Sequence, residues 1–229
     1  MKRSPAFLLA LLALLLGSSA IEAQSIPSPY RFVEKGQEAG IFSGYFSAAS
    51  DRFGLGPKSA PAFGARYAVG LSGTIALETV ATMAATPRDV VNPNRVEGDR
   101  VIEEAESLLT LLEARLRFAL TGRRTWHGLQ PFVLIGVGVG WDSQGAQAED
   151  ALLADEDQFD FGTKFTGSFG GGFRYLITDR FHFRGDATAM LYQIGVPDGF
   201  REAGLGLGDV AESEWVTSNM LTLGFAFRF

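Results

Sequence analysis

The chain has 229 residues, of which 46% are hydrophobic and 12% aromatic, and its formal net charge is −6. This apolar and aromatic content excludes an intrinsically disordered protein, and the length fits one domain or two small ones. The absence of cysteine excludes disulfides, cysteine-ligated metals and a thiol nucleophile. The acidic balance argues against a nucleic-acid partner, because surfaces that bind nucleic acids are usually basic.

Residues 1–23 have the organisation of a secretory signal peptide. Lys2 and Arg3 precede the 11-residue apolar run AFLLALLALLL, and a stretch of small residues follows. Such a run is too short for a membrane-spanning helix, which needs about 20 residues, and is typical of an export signal. We expect cleavage after Ala20 or Ala23.

Beyond the next short segment, large apolar residues alternate with small or charged ones. This period of two is typical of β-strands whose two faces meet different surroundings. The pattern predicts eight strands, near residues 40–49, 62–71, 74–84, 107–120, 130–141, 161–177, 180–193 and 216–229. In the last strand, Phe225, Phe227 and Phe229 share one face, and small or charged residues occupy the other.

The segment 107–120 is ambiguous because it also has high helix propensity. We predict a strand, since Glu113, Arg115 and Arg117 alternate with apolar residues as in the other segments. A helix here would leave seven strands, whereas bacterial single-chain barrels have even numbers.

Short and long connections alternate strictly between the predicted strands. The long ones follow the first, third, fifth and seventh strands and cover residues 50–61, 85–106, 142–160 and 194–215. Short periplasmic turns and long extracellular loops are typical of outer-membrane barrels. The sequence therefore predicts an all-β, eight-stranded antiparallel up-and-down transmembrane barrel. We expect the barrel over residues 39–229, preceded by a periplasmic lead-in over 24–38 in which Tyr30 and Phe32 cover the lower mouth.

The two predicted faces fit a lipid-exposed barrel. One face is too apolar and aromatic to meet water over eight strands, while the other carries the charges, as a closed sheet in a bilayer requires. Trp126 lies in a predicted periplasmic turn, and Trp141 and Trp215 lie at predicted extracellular strand ends. These are the two levels at which aromatic girdles form.

The chain resembles the small OmpA-like and OmpX-like eight-stranded outer-membrane barrels over about residues 39–229. The resemblance rests on the export signal, the alternating last strand, and the segments LQPFVLIGVGVGWD and FGGGFRYLITDRFHFRGDATAML. It implies a location among the lipids and lipopolysaccharide of the outer membrane. It also implies that Phe225, Phe227 and Phe229 resemble the signal read by the barrel-assembly machinery. We expect a monomer without cofactor or nucleic acid, and no peptidoglycan-binding domain after Phe229.

Eight strands enclose a lumen that side chains can fill, and charges inside it must pair because an isolated buried charge costs several kcal/mol. The charged residues expected in the lumen are Arg66, Glu78, Glu113, Arg115, Arg117, Lys164, Arg174, His182, Arg184, Asp186 and Arg228. Such a network either plugs the barrel and fixes its register, or gates a narrow ion path by exchanging partners.

Two further hypotheses concern chemistry. His182, with Ser168 one strand away, suggests a lipid hydrolase, but HFRGD does not resemble the His-x-Ser pattern of outer-membrane deacylases. The acidic predicted loop 142–160 offers carboxylates for a divalent cation, but it lacks the glycine of a calcium-binding loop. We therefore expect a non-enzymatic barrel with a structural, membrane-integrity or surface-interaction role. The alternatives are a narrow pore and, third, a lipid hydrolase.

Overall fold

The computed structural model describes residues 29–33, 36–49 and 51–229, so the predicted signal peptide lies outside the described residues. The strands are β1 (Tyr30–Phe32), β2 (Gln37–Ser47), β3 (Ala60–Gly70), β4 (Ile75–Val91), β5 (Val101–Ala119), β6 (Arg124–Trp126), β7 (Leu129–Asp142), β8 (Thr163–Leu176), β9 (Phe181–Gly195) and β10 (Ser213–Arg228). Short 3₁₀ turns lie at Asp150–Leu152, Asp155–Asp157, Asp198–Arg201 and Ala203–Leu205. In the described part of the chain, no helix has the length and apolarity needed to cross a membrane.

The long strands close into a barrel. Antiparallel pairing runs in the order β2, β3, β4, β5, β7, β8, β9, β10, and β10 pairs back onto β2. The closing pair extends over ten residue pairs, from Asn219 opposite Ser47 to Arg228 opposite Glu38. The predicted eight-stranded antiparallel up-and-down barrel is confirmed, and each predicted strand is present.

Short and long connections lie at opposite ends of the barrel. The lower end carries the turns 71–74, 120–128 and 177–180, and the upper end carries the loops 48–59, 92–100, 143–162 and 196–212. The backbone alternation turns one set of side chains outward, and this set forms a band of exposed apolar residues around the barrel, including Ile41, Phe63, Ile135, Phe169 and Leu221. Such a band suits a bilayer, because a soluble protein rarely exposes so large an apolar surface.

The hairpin of β4 and β5 rises above the rest of the rim. β4 continues to Val91 and β5 begins at Val101, whereas the sequence predicts strand ends near residues 84 and 107. Pro87 interrupts the apolar alternation, and proline is normally excluded from central strands. Above the rim β4 is an edge strand, so Pro87 is accommodated, and its carbonyl accepts a hydrogen bond from the Lys58 amide at 2.9 Å.

A second ribbon, which the sequence did not predict, lies at the lower end. β1 pairs with β6, with Tyr30 opposite Trp126. The next strand, β2, lies on the opposite side of the barrel from β7. The Val33 amide donates to the Arg123 carbonyl at 2.8 Å. We call the described residues 29–33 and 36 the strap.

The strap covers the lower mouth with Val33, which is only 8% exposed. Tyr30 and Phe32 are instead 48% and 64% exposed, so the expectation that these two rings cover the mouth is wrong. Both residues belong to the ribbon with β6, in which the Arg124 guanidinium lies 5.5 Å from the Phe32 ring centroid.

Candidate functional site: a lumen with two layers

Most of the charged residues predicted for the lumen lie inside the barrel. The buried ones are Arg66, Glu78, Glu113, Arg115, Arg117, Arg174, His182, Arg184 and Asp186. Each occupies an inward position of its strand, because successive side chains alternate between the two faces of the sheet. We call the ion-pair network among them, described next, the polar layer.

Glu78 of β4 lies at the centre of the polar layer and is 0% exposed. Its carboxylate accepts hydrogen bonds from Arg184 of β9, with Nη2 to Oε2 at 3.0 Å, and from Arg117 of β5. Arg184 also donates from Nε to Asp186 Oδ1 at 2.9 Å. One carboxylate therefore joins β4 to its neighbour β5 and, across the lumen, to β9, which is not adjacent to either strand in the sheet.

Asp186 extends the polar layer to β3 and β10. It accepts hydrogen bonds from Arg66 and from the hydroxyl of Thr222, the latter at 3.2 Å. The Arg66 guanidinium lies 4.5 Å from the Phe42 ring centroid, and that of Arg184 lies 4.5 Å from the Phe132 centroid. Arginine is well suited to such a position, because its planar fork pairs with carboxylates while its face stacks on aromatic rings.

Glu38 belongs to the polar layer although the sequence analysis missed it. It accepts from Arg174 Nη1 at 2.6 Å and from Arg117, and His182 Nε2 lies 3.8 Å away. The predicted lead-in ended at residue 38, whereas β2 begins at Gln37. The alternation of the strand could have identified Glu38, because it lies four residues before Phe42 and therefore faces the same, inward side.

Four predicted residues, Glu113, Arg115, Lys164 and Arg228, take no part in the network around Glu78. Arg115 pairs with Glu113 at 2.5 Å, and this buried pair is separate from the ion pairs around Glu78. Arg228 is half-buried at the lower end and donates to the Asp179 carbonyl at 2.5 Å. Lys164 is half-buried at the upper end beside Gly195. Lys164 and Arg228 lie near the ends of their strands, so their inward-facing side chains are at the rim of the barrel and not in the middle of the lumen.

Above the polar layer the lumen becomes apolar. The strands contribute buried Phe46, Leu109, Leu111, Met190, Tyr192, Ile194, Val216 and Met220, and the loops contribute Leu55, Phe159, Phe161, Val196 and Phe200. We call this cluster the apolar layer. Phe200 is 0% exposed, and its ring centroid lies 5.1 Å from that of Phe53. The upper loops therefore fold into the barrel mouth and close it.

Phe161 differs from the sequence prediction. It is the first residue of the predicted strand 161–177, and its alternation with Phe165 and Phe169 indicates an outward position, but β8 begins at Thr163. Phe161 is instead buried in the apolar layer, 6.3 Å from Tyr192 between ring centroids. The alternation of side chains between two faces holds only within a strand, so it does not predict the orientation of a loop residue such as Phe161.

Three ion pairs fasten the loops to the raised hairpin. Arg88 of β4 pairs with Asp150, and both side chains are buried. Lys58 bridges Asp89, at 2.7 Å, and Glu104 across the hairpin. The hydrogen bonds to Asp89 and Glu104 raise the pKa of Lys58, so this bridge persists through the neutral range.

Asp157 occupies an unfavourable position for a charged carboxylate, in the acidic segment 155–160 of the loop 143–162. Its carboxylate is buried and accepts a hydrogen bond from Asn94 Nδ2 at 3.2 Å. Burial, together with the nearby charge of Glu202, raises the pKa of Asp157.

The acidic loop does not gather its carboxylates around one point. Asp150 pairs with Arg88, and Asp157 accepts from Asn94. Within the described residues, no group of three or more His, Asp or Glu side chains could hold a metal ion.

His182 and Ser168 lie far apart despite belonging to neighbouring strands. His182 is opposite Leu176, and Ser168 is opposite Met190. The two positions on β9 differ by eight residues, which is about 26 Å at ~3.3 Å per residue. A nucleophile and its base must lie within hydrogen-bond distance, so these two residues do not form a catalytic pair.

The tryptophans lie at the two ends of the barrel. Trp126 is in β6 at the lower end, Trp215 begins the upper part of β10, and Trp141 is half-buried near the upper end of β7. At the lower end, the Phe181 and Phe227 rings are 5.0 Å apart, and the Phe229 amide donates to the Gln37 carbonyl at 3.0 Å.

No protein-family model and no curated protein sequence matches this chain. Among solved structures, Neisserial surface protein A (NspA) aligns with a TM-score of 0.50 and 13% identity, covering 85% of this chain and 97% of that chain. OprG from Pseudomonas aeruginosa aligns with a TM-score of 0.49 and 15% identity, covering 86% and 97%. The N-terminal β-barrel domain of P. aeruginosa OprF gives 0.43 and 16%, covering 86% and 100%.

The alignment with NspA extends over nearly the whole of both barrels and concerns the fold alone. It agrees with the closed pairing order, the alternating turns and loops, and the apolar outer band described above. The chain therefore has the fold of the small, OmpA-like and OmpX-like eight-stranded outer-membrane barrels.

Proposed function

We propose that this protein is a non-enzymatic outer-membrane barrel that is closed to solutes and acts through its folded upper end, as a structural or surface-contact component. The observation that carries the proposal is the closure of the lumen at three levels. Val33 of the strap lies at the lower mouth, the polar layer fills the middle, and the apolar layer closes the top.

The orientation follows from the connections. Long loops in outer-membrane barrels face the cell exterior and short turns face the periplasm. The upper end then faces outward, and the strap lies in the periplasm. In this proposal a signal peptide over 1–23 directs export and is removed after Ala20 or Ala23, and the lead-in that follows ends before β2 begins at Gln37.

An ion path would have to cross both layers. In the polar layer, Glu78 holds Arg117 and Arg184, and separating buried partners is costly in a low-dielectric interior. In the apolar layer, an ion would lose its hydration among Met190, Ile194 and Phe200 without polar replacements. These two barriers favour a plug over a channel.

One observation nevertheless supports a gated pore as the second candidate. Arg117 contacts both Glu38 and Glu78, so it could exchange one partner for the other without becoming unpaired. Such an exchange would rearrange the polar layer but would leave the apolar layer in place. Conduction therefore requires the loops to leave the barrel mouth as well.

The hydrolase hypothesis has little support, because His182 and Ser168 lie at different levels of the barrel. Asp186, the group that would orient the imidazole, pairs with Arg66 and Arg184 instead.

The upper end has a distinct charge. Its loops and the raised hairpin carry many more acidic than basic side chains, and Lys58, Arg88 and Arg201 already pair with carboxylates. A surface of this kind favours cationic partners and repels polyanions. We therefore expect any protein partner at the cell surface to present a basic patch.

Single-channel conductance of the refolded protein in a planar bilayer tests the proposal. Folding is verified first by heat-modifiable mobility on a denaturing gel. Silence at moderate voltage is the expected result. Discrete current steps that change in the Glu113→Gln or Arg115→Met variant would contradict the plug and establish the pore.

Assembly is tested at the last strand. We propose that Phe225, Phe227 and Phe229 form the signal for the barrel-assembly machinery and that the product is a monomer. The Phe229→Ser variant should reach the outer membrane at a much lower level than the wild type. The matched control is Phe165→Ser, another exposed outward phenylalanine in β8. Equal levels of both variants and the wild type would refute the signal.

A further inference from the structure

A cavity lies in the lower lumen, between Val33 of the strap and the polar layer. Its volume is about 50 Å³. A buried water molecule needs roughly 10–15 Å³, so the cavity has room for a few waters or for one small inorganic anion. The charged side chains that line it are Arg117, Arg174, Arg228 and Glu38. We call it the lower cavity, and its lining is mainly cationic.

The polar layer above the lower cavity contains more cations than anions. Its carboxylates are those of Glu38, Glu78 and Asp186, and its guanidinium groups are those of Arg66, Arg117, Arg174 and Arg184. Among the described residues of the layer, one positive charge is therefore left without a carboxylate of its own. The separate pair of Glu113 and Arg115 is balanced and does not change this count. An uncompensated charge in a low-dielectric interior is costly, so a counter-ion is favoured.

The shortage of negative charge is greatest beside the lower cavity. Arg174 and Arg117 share the carboxylate of Glu38, with Arg174 Nη1 2.6 Å from Oε2. Arg174 also donates from Nε to Gln130 Oε1 at 3.0 Å, and this amide oxygen carries no net charge. Glu38 is thus the one carboxylate that lines the cavity for two buried guanidinium groups.

These guanidinium groups retain hydrogen-bond donors. Arg117 donates to both Glu38 and Glu78 from Nη1, and within the described residues its Nη2 and Nε form no hydrogen bond. Nη1 and Nη2 of Arg174 each donate to one oxygen, although each carries two hydrogens. Arg117 is 4% and Arg174 6% exposed. The lower cavity therefore combines buried positive charge with donors that its carboxylate does not use.

The lower end of the barrel attracts anions. Within the described residues of this end, four exposed arginines lie against one exposed carboxylate; they are Arg31, Arg123, Arg124 and Arg180 against Asp179. The upper end has the opposite charge. The lower cavity is also lined by the turn 71–74, in which Thr74 is exposed. Because a positive surface raises the local concentration of anions, the periplasmic side is the side from which an anion would enter.

We propose that the lower cavity binds one small inorganic anion, of the size and charge of chloride, held by Arg174 and Arg117 with Arg228 at the rim. The anion supplies the negative charge that the polar layer lacks and accepts the hydrogen bonds that Glu38 leaves unused. Water fills the same space but does not compensate the charge. The site goes beyond the proposed function and leaves the plug intact, because Glu78 and its partners close the lumen above it.

Urea unfolding of the protein folded in vesicles of a zwitterionic lipid tests the site. Sodium chloride replaces sodium gluconate at constant ionic strength, because gluconate is too large for the lower cavity. For a dissociation constant of about 20 mM, about 200 mM chloride should raise the ratio of folded to unfolded protein about tenfold. The same ratio in both salts would mean that the cavity holds only water, and would overturn the proposal.

Two variants and a matched control assign the effect to the cavity. Arg174→Gln removes the excess positive charge, so the dependence on chloride should be lost. Arg228→Gln, outside the ion-pair network, should lower the affinity about threefold, as expected for one partly exposed charge. Arg180→Gln removes an exposed arginine of the same end that does not line the cavity, and should behave as the wild type.

An unchanged dependence on chloride in Arg174→Gln would overturn the proposal. If that variant fails to fold, Arg228→Gln decides, and a dependence equal to that of Arg180→Gln would overturn it.

Anomalous diffraction from crystals grown in sodium bromide locates the anion. A bromide peak is expected in the lower cavity, within hydrogen-bond distance of Arg174 and Arg117. Bromide found only on the outer surface would mean an adventitious ion only, and the site would be refuted.

Discussion

The polar and apolar layers lie at different levels of the same lumen. Both use inward-facing residues of the strands, yet they are built differently. Every charged group of the network around Glu78 comes from a barrel strand, so closing the barrel in the correct register brings the partners together. The apolar layer also needs side chains from the loops, such as Phe159 and Phe200.

This difference separates two properties of a small barrel, the specificity of its strand register and the tolerance of its loops to sequence change. Buried charges tolerate no shift of register, because an unpaired charge in the lumen is costly. Apolar side chains repack at lower cost when total volume is kept. The lower lumen therefore fixes one barrel, while the upper lumen permits loops of different sequence to be seated in the same mouth.

The largest expected effect comes from breaking the polar layer at its centre. In Glu78→Gln, Arg117 and Arg184 lose a shared carboxylate inside the lumen, although Glu38 and Asp186 remain as partners. We expect the free energy of unfolding to fall by about 3 kcal/mol. Urea titration of the protein folded in vesicles measures it.

The matched control for that change is Glu97→Gln, an exposed glutamate in the loop of the raised hairpin. It should change the unfolding free energy by less than about 0.5 kcal/mol. If the two variants were equally stable, the central role of Glu78 would be refuted.

Removing the apolar layer should act locally. In Phe200→Ala the loss of a fully buried ring should lower the free energy that holds the loops in the mouth by about 3 kcal/mol. The loops 48–59 and 196–212 should then exchange amide hydrogens faster and become sensitive to protease, while β9 and β10 stay protected. Phe165→Ala, which truncates an exposed outward ring, is the control and should change neither loop.

A smaller effect concerns the polar contact inside the apolar layer. The Tyr192 hydroxyl and Ser218 Oγ are 3.0 Å apart, and Ser218 also accepts from the Ala49 amide at 3.2 Å. Tyr192→Phe keeps the ring and removes one hydrogen bond, so the unfolding free energy should fall by about 1 kcal/mol. A loss above about 3 kcal/mol in the same urea titration would show that this layer also depends on polar pairing.

The smallest effect concerns pH and the loops. Because burial raises the pKa of Asp157 in the folded state, the folded state binds its proton more tightly than the unfolded state does. Loop stability should therefore rise as pH falls from neutral through that raised pKa, and fall as pH rises. Hydrogen exchange at residues 155–157, corrected for intrinsic rates, measures it.

The Asp157→Asn variant should lose this pH dependence and remain as protected as the wild type at low pH. Asp155→Asn, an exposed neighbour, should retain it. An unchanged dependence in Asp157→Asn would assign the effect to another group.

The strands could be predicted because the alternation is a local property that each strand displays by itself. The same phase identified most inward charges, including Glu78, Arg117 and Arg184. It did not identify which acid pairs with which base, since that depends on the register between strands such as β4 and β9, which are not adjacent.

The apolar layer was not predicted for a different reason. Phe159, Phe161 and Phe200 lie in loops, where the sequence has no periodic pattern that would predict which side chains point into the barrel. Their burial results from the fit between the loops and the barrel mouth, which exists only after the fold has formed. Likewise β1 and β6 are three residues each, too short to show a pattern.

The pairing of β2 with β10 has a consequence for the order of folding. Each of the other neighbouring pairs joins consecutive barrel strands, whereas this one joins Glu38 to Arg228. Contacts of such large sequence separation form late, because the entropy of closing a long loop must be overcome first. Until then both strands present unpaired edges, and such edges promote aggregation. Formation of these ten residue pairs would therefore end the period in which the unfolded barrel is most prone to aggregate. If the last strand is recognised during assembly, as proposed above, that recognition would also protect one of the two exposed edges.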